Sequence, residues 1–210
     1  MAKRLPAILI AGFGGPGKKL VIDALLRHQP ADEQWALIAQ AGLLGGSRWR
    51  TDQTPAGLWL ETVAPGCPCC TGLTPFSTGL TVLLRKLRDT PVTCLLIEGG
   101  GEGHIGSVAR LLERDEFSPH VSLAHALAAI DPRWLAHPQP TAQEALQALA
   151  DAADSLVAAP WEQSGAAHAG FDALARRFMP PKRWTALVDG ALDPAFAQAV
   201  LHPFSSKSAA

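Results

Sequence analysis

Two short stretches of this sequence carry residue types that could do chemistry. The first is Gly12-Phe13-Gly14-Gly15-Pro16-Gly17-Lys18-Lys19. Its spacing follows the phosphate-binding pattern G-x-x-x-x-G-K-[S/T] up to the last position. Glycines let backbone N–H groups turn toward phosphate oxygens, and a lysine at position 18 would sit on the terminal phosphates. The last position calls for a hydroxyl to ligate Mg²⁺, and Lys19 has donors only. The candidate nucleotide-binding residues are therefore Gly12, Gly14, Gly15, Pro16, Gly17, Lys18, Lys19 and Leu20. Mg²⁺ dependence is expected to be weak or absent, and hydrolysis slow or nil. The plain alternative is a glycine-rich strand-to-helix turn that holds no ligand.

The second stretch is Cys67-Pro68-Cys69-Cys70, between Gly66 and Thr71. Three thiols this close can converge on one soft or borderline ion, Zn²⁺ or Cu(I). Three ligands leave the site one short of a structural zinc centre, which suits an exchangeable metal completed by water, a histidine or a partner. Reduced cysteines in a turn, or a redox pair, are the alternatives. Glu98 closes an apolar run and is followed by Gly99, Gly100 and Gly101. That placement fits the carboxyl edge where α/β sheets bind ligands. His104 could join the thiolates, touch a phosphate or sit in a solvated loop. Asp131 precedes a proline and fits a cap as well as a site.

Strands must end on these residues to position them. Apolar runs predict strands at 5–11, 35–39, 58–63, 93–97, 155–159 and 184–188. Helical spacing predicts helices at 18–28, 76–88, 108–113, 141–153, 171–178 and 196–201. Thr141 and Glu144 suggest a capping box for the fourth helix. The segment 121–130 is ambiguous by pattern but takes a strand's place in the order. Strands alternating with helices predict an α/β fold with a mostly parallel sheet and helices on both faces.

The 210 residues are 48% hydrophobic and 18% charged, which suits one globular domain. A net charge of -1 gives no electrostatic case for nucleic acid or an anionic membrane. The apolar stretch 7–11 is too short for a signal core or a membrane span, so a cytoplasmic setting with reduced thiols is expected. Cys94 reads as an inert core thiol. His120, His125, His137, His168 and His202 have no mutual metal spacing and read as surface or capping residues. The tryptophans are scattered and do not interleave with a basic stripe.

Taken together, the glycine loop, the Gly-Cys-x-Cys-Cys segment and the strand ending in Glu98 resemble the CobW-like group of P-loop GTPases. Those proteins are related to the nickel chaperone GTPases of urease and hydrogenase maturation. The resemblance covers nearly the whole chain, as one domain over 1–204 with a disordered tail at 205–210. It implies a three-layer P-loop NTPase fold. Residues 36–42 look like the family's switch segment, Glu98 falls at its Walker B acid and Gly101 at its switch glycine, the two catalytic positions. Cys67, Cys69 and Cys70 match the metal motif. The family implies GTP as ligand, Zn or Co as cargo, and a client metalloprotein or a family relative as partner, with a homodimer as one assembly to test.

The departures strike nucleotide chemistry. Lys19 replaces the Mg²⁺ hydroxyl, and Ala39-Gln40 replace the switch Asn-Glu. The guanine motif Asn-Lys-x-Asp corresponds to Ala159-Pro160-Trp161-Glu162, where Glu162 alone keeps a carboxylate for the base. The sequence also ends short of the family's usual C-terminal domain. These losses favour, as a second reading, a pseudo-GTPase that binds metal and acts through a partner. A P-loop kinase or ATPase would leave the cysteines unexplained.

Overall fold

A computed structural model describes residues 4–13, 15–41, 56–64, 73–101, 104–160 and 165–202. Gly14, Cys67, Cys69, Cys70, Glu162 and the tail at 205–210 lie outside the described residues.

Seven strands form one sheet: β1 (Leu5–Ala11), β2 (Gln34–Gln40), β3 (Leu58–Val63), β4 (Val92–Glu98), β5 (Val121–Ile130), β6 (Ser155–Ala158) and β7 (Arg183–Ala186). Their order is β3-β2-β4-β1-β5-β6-β7, and every pairing between them is parallel. The helices are α1 (Gly15–Leu26), α2 (Leu73–Leu87), α3 (His104–Leu112), α4 (Pro140–Ala152), α5 (Gly165–Ala175) and α6 (Pro194–Leu201).

The strands are apolar at both parities because both sheet faces are covered. Along β1, Ala7, Leu9 and Ala11 join one cluster with Phe76, Leu80 and Leu83 of α2 and Leu146 of α4. Ile8 and Ile10 point the other way, against Val21, Ile22 and Leu25 of α1 and Val200 of α6. Each of these side chains is at most 3% exposed. Burial of this kind stabilises by roughly 1.5–3 kcal/mol per large aliphatic side chain. The result is three layers, with α1 and α6 on one face and α2 to α5 on the other.

One local reading is corrected and one ambiguous segment is assigned. The Thr141/Glu144 capping box does not form: α4 starts one residue earlier, at Pro140, with Gln139 as its cap and no side-chain cap hydrogen bond. Proline at the first helical turn has its φ preset for the helix, which fixes the start there. The segment 121–130 is a strand, as its place in the order required, despite its Ala- and Leu-rich pattern.

Candidate functional site

The exits of β1 and β4 are zipped together. Gly99 N–H donates to the Ile10 carbonyl and Gly12 N–H to the Gly100 carbonyl, both at 2.8 Å. From there the chain runs into α1 on one face and α3 on the other. Adjacent strands whose helices leave to opposite faces open a crevice at the carboxyl edge. The glycines around it answer to close approaches. A Cβ on Gly12 would lie 2.3 Å from the Ala129 carbonyl oxygen, and one on Gly17 would lie 2.6 Å from that of Ala159. The turn from β1 into α1 is thus pressed against the ends of β5 and β6.

Lys18, in the first turns of α1, is 3% exposed, and Glu98, at the end of β4, is 0% exposed. Burial pulls the Lys18 ammonium below its ordinary value, and the nearby Glu98 carboxylate partly offsets this. A buried cation near a buried carboxylate, in the first turns of a helix whose dipole is positive at that end, is suited to polyanion binding.

Lys19 differs. Its ammonium bonds both carboxylate oxygens of Asp23, at 2.7 and 3.0 Å, one turn along α1. Mg²⁺ takes oxygen ligands, and a paired ammonium at this position does not fit as one. Leu20 packs its side chain against the apolar cluster beneath α1. Ala39, at the lost switch asparagine, is 1% exposed in the same cluster, and Gln40 ends β2 half-buried. Gly101 follows Glu98 by three residues, and a Cβ there would lie 3.0 Å from the Phe13 ring. Val63, the last residue of β3 before the cysteine segment, pairs with Gln40 at the carboxyl edge.

Several residues have a setting that spacing did not reveal. His104 is 8% exposed in the first turn of α3 rather than in a solvated loop. Its ring lies so close to Gly100 that a Cβ there would come within 1.8 Å, so any other residue at that turn would have to displace the ring. Phe13 stacks on Trp134 at 4.4 Å, and Trp134 on His137 at 5.4 Å. In the sequence Phe13 is a variable position of the glycine loop, and Trp134 is one of the scattered tryptophans. Their only sequence signal is position, each following the end of a central strand. Asp131 takes the plain role of a cap, accepting from Arg133 N–H at the 3-10 turn Pro132–Ala136. Burial raises its carboxyl, but the Arg133 hydrogen bonds and charge win and leave it below the usual value.

The other histidines divide. His125 is half-buried in β5 and bonds Ser155 Oγ at 3.0 Å, so it is neither a surface nor a capping residue. His202 caps α6 and His137 closes the 3-10 turn, while His120 and His168 are exposed. Cys94 is 7% exposed among apolar neighbours, as expected of a core thiol.

Residues 6–178 match the family described as CobW/HypB/UreG, nucleotide-binding domain. Over 154 residues the chain is 32% identical to the zinc chaperone YeiR of Escherichia coli (strain K12). That match takes in 71% of this chain and 44% of YeiR, so the chain spans less than half of that relative. Among solved structures, the Zn(II)-bound YjiA GTPase from E. coli superposes with a TM-score of 0.63 at 17% identity, over 95% of this chain and 63% of that one. FtsY from Elizabethkingia anophelis in complex with GDP gives a TM-score of 0.57 at 14% identity, over 97% of this chain and 64% of that one.

Proposed function

This chain belongs to the CobW/HypB/UreG family through its nucleotide-binding domain, and we propose that it binds GTP at the β1–α1 turn and carries a thiophilic metal, zinc, toward a client protein. The observation that carries this reading is the buried Lys18 near the buried Glu98 at the mouth of a crevice walled by Gly12 and Gly17. A buried ammonium costs stability unless something anionic compensates it, and a terminal phosphate would complete the compensation that Glu98 begins. In this reading the backbone from Gly12 to Leu20 cradles the phosphates, Gly14, Gly15 and Pro16 included. Glu98 and Gly101 sense the terminal phosphate, and Glu162 faces the base. Cys67, Cys69 and Cys70 hold the metal. The relative at 32% identity is named a zinc chaperone, which puts zinc ahead of cobalt.

Magnesium is no part of this scheme, because Lys19 occupies the hydroxyl position and is paired with Asp23. No step here depends on that ion, and turnover is expected to be slow. The same pairing favours the second reading, a non-catalytic metal-binding module acting through a partner or a family relative. A homodimer, absence of nucleic-acid binding and a cytoplasmic setting belong to the proposal. Among the described residues no helix is long and apolar enough to cross a membrane.

Two measurements test the proposal. Metal analysis of protein purified without chelator should find zinc, and lose it in Cys67→Ser/Cys69→Ser/Cys70→Ser. A titration without Mg²⁺ should find GTP binding at micromolar concentration. Metal without nucleotide at millimolar GTP selects the second reading, and equal metal in wild type and triple variant removes both.

A further inference from the structure

The amino edge of the sheet, opposite the β1–α1 turn, holds a cavity of about 480 Å³. It lies between the starts of β1 and β4, the end of α2 and the turn before β5. The seven residues of β1 separate it from the crevice, about 20 Å at ~3.3 Å per residue. Its floor is apolar: Leu87 and Phe117 are buried, and Leu5, Leu84 and Val92 are partly buried against the same core. Its rim is basic, with Arg4, Arg85 and Arg88 exposed around it and Glu116 as the carboxylate in the lining.

Among the described residues, none of these three guanidiniums makes an ion pair or a side-chain hydrogen bond. The hydroxyls in the wall are already engaged: Thr81 donates to the Ser77 carbonyl and Thr93 to the Glu33 carboxylate. A second cavity, at the starts of β5 to β7, is different. There Lys182 caps the end of α4 and Asp154 accepts from Ala126 N–H, so these two charges are used internally.

We propose that the cavity at the amino edge binds an amphipathic anion, a carboxylate or phosphate carried on an apolar body. The volume falls within the range of roughly 300–1,000 Å³ usual for small-ligand sites. Guanidiniums match carboxylate and phosphate oxygens with paired N–H groups. The negative end of the α2 dipole points toward this rim and would oppose an anion, but Arg85 and Lys86 in the last turn of α2 offset it. Arg4 and Arg88 remain in excess over Glu116. The site is independent of the crevice, so its fate does not depend on GTP or zinc.

Calorimetric titration of the full chain with decanoate, decyl phosphate and decanol tests the assignment. One anion at least should bind saturably at one site, and the stronger of the two identifies the head group. Decanol should bind about tenfold or more weakly. Arg85→Glu/Arg88→Glu, both on the surface, should weaken the anion about tenfold or more, Glu116→Gln should tighten it, and GTP should not displace it. Equal binding of decanol, no effect of the charge reversal, or no anion binding at millimolar concentration would each overturn the proposal.

Discussion

Gly12→Ala tests whether the crevice is built by close approach. The added Cβ would sit 2.3 Å from the Ala129 carbonyl oxygen and 3.3 Å from its carbonyl carbon. A carbon meets a carbonyl oxygen at about 3.3 Å or more, so the ends of β1 and β5 must part by about 1 Å. The obstacle is backbone at the centre of a parallel sheet, which no rotamer change can relieve. Overpacking of this kind costs about 1–3 kcal/mol, a fall in Tm of roughly 2–12 °C for a domain of this size. The displaced segment also carries the Gly12 N–H bond to Gly100. Misplacing a positioning group by about 1 Å can cost on the order of a hundredfold, so the loss of GTP affinity should exceed what the stability change implies. The assay is urea unfolding paired with GTP titration. Gly106→Ala in α3 is the control: its Cβ meets the flexible end of Arg110 at 3.4 Å, and the change should stabilise by about 0.5–1 kcal/mol. A Gly12→Ala protein as stable as wild type, with unchanged GTP affinity, would refute the reasoning.

Burial, helped by Glu33, pushes the Cys94 thiol up to about 12. Its thiolate fraction at pH ~8 is on the order of 10⁻⁴, so iodoacetamide should leave the Cys94 peptide unmodified in folded protein and label it in urea. Burial holds His125 below its ordinary 6.5, with Arg183 adding to the effect and Asp154 opposing it. The unfolded chain therefore takes up a proton that the folded chain resists, and stability falls as pH drops from 6.5 through the lowered value. His125→Gln should flatten that acid limb in pH-dependent urea unfolding, and an unchanged slope would count against the assignment. Lys182 donates to the Asp151 carbonyl at 2.6 Å and to the Ala153 carbonyl, capping α4, and lies over the Phe178 ring. Lys182→Met should cost about 1 kcal/mol in the same assay.

The alternation of apolar runs and helical spacing, and the glycines ahead of Lys18, were legible because they are local patterns with a fixed period or spacing. So was Glu98, because a carboxylate closing an apolar run marks a strand end. Other residues depended on what lay across from them. Lys19 stands in the motif, yet its ammonium answers to Asp23 one helical turn away, and Leu20 answers to the core below it. His104 could be a loop residue or a packed one until α3 was seen to begin on it, against Gly100.

By itself the sequence determined the fold class and the family, since these follow from periodicity and from short motifs read along the chain. Only the tertiary structure decided that Gly12 and Gly17 must be glycines, that Phe13 stacks on Trp134, and that Arg4, ahead of β1, meets Arg85 and Arg88 at the end of α2 around one apolar cavity. Each of these depends on groups distant in sequence meeting within a few ångströms, and that distance is set by strand order, which no local pattern encodes.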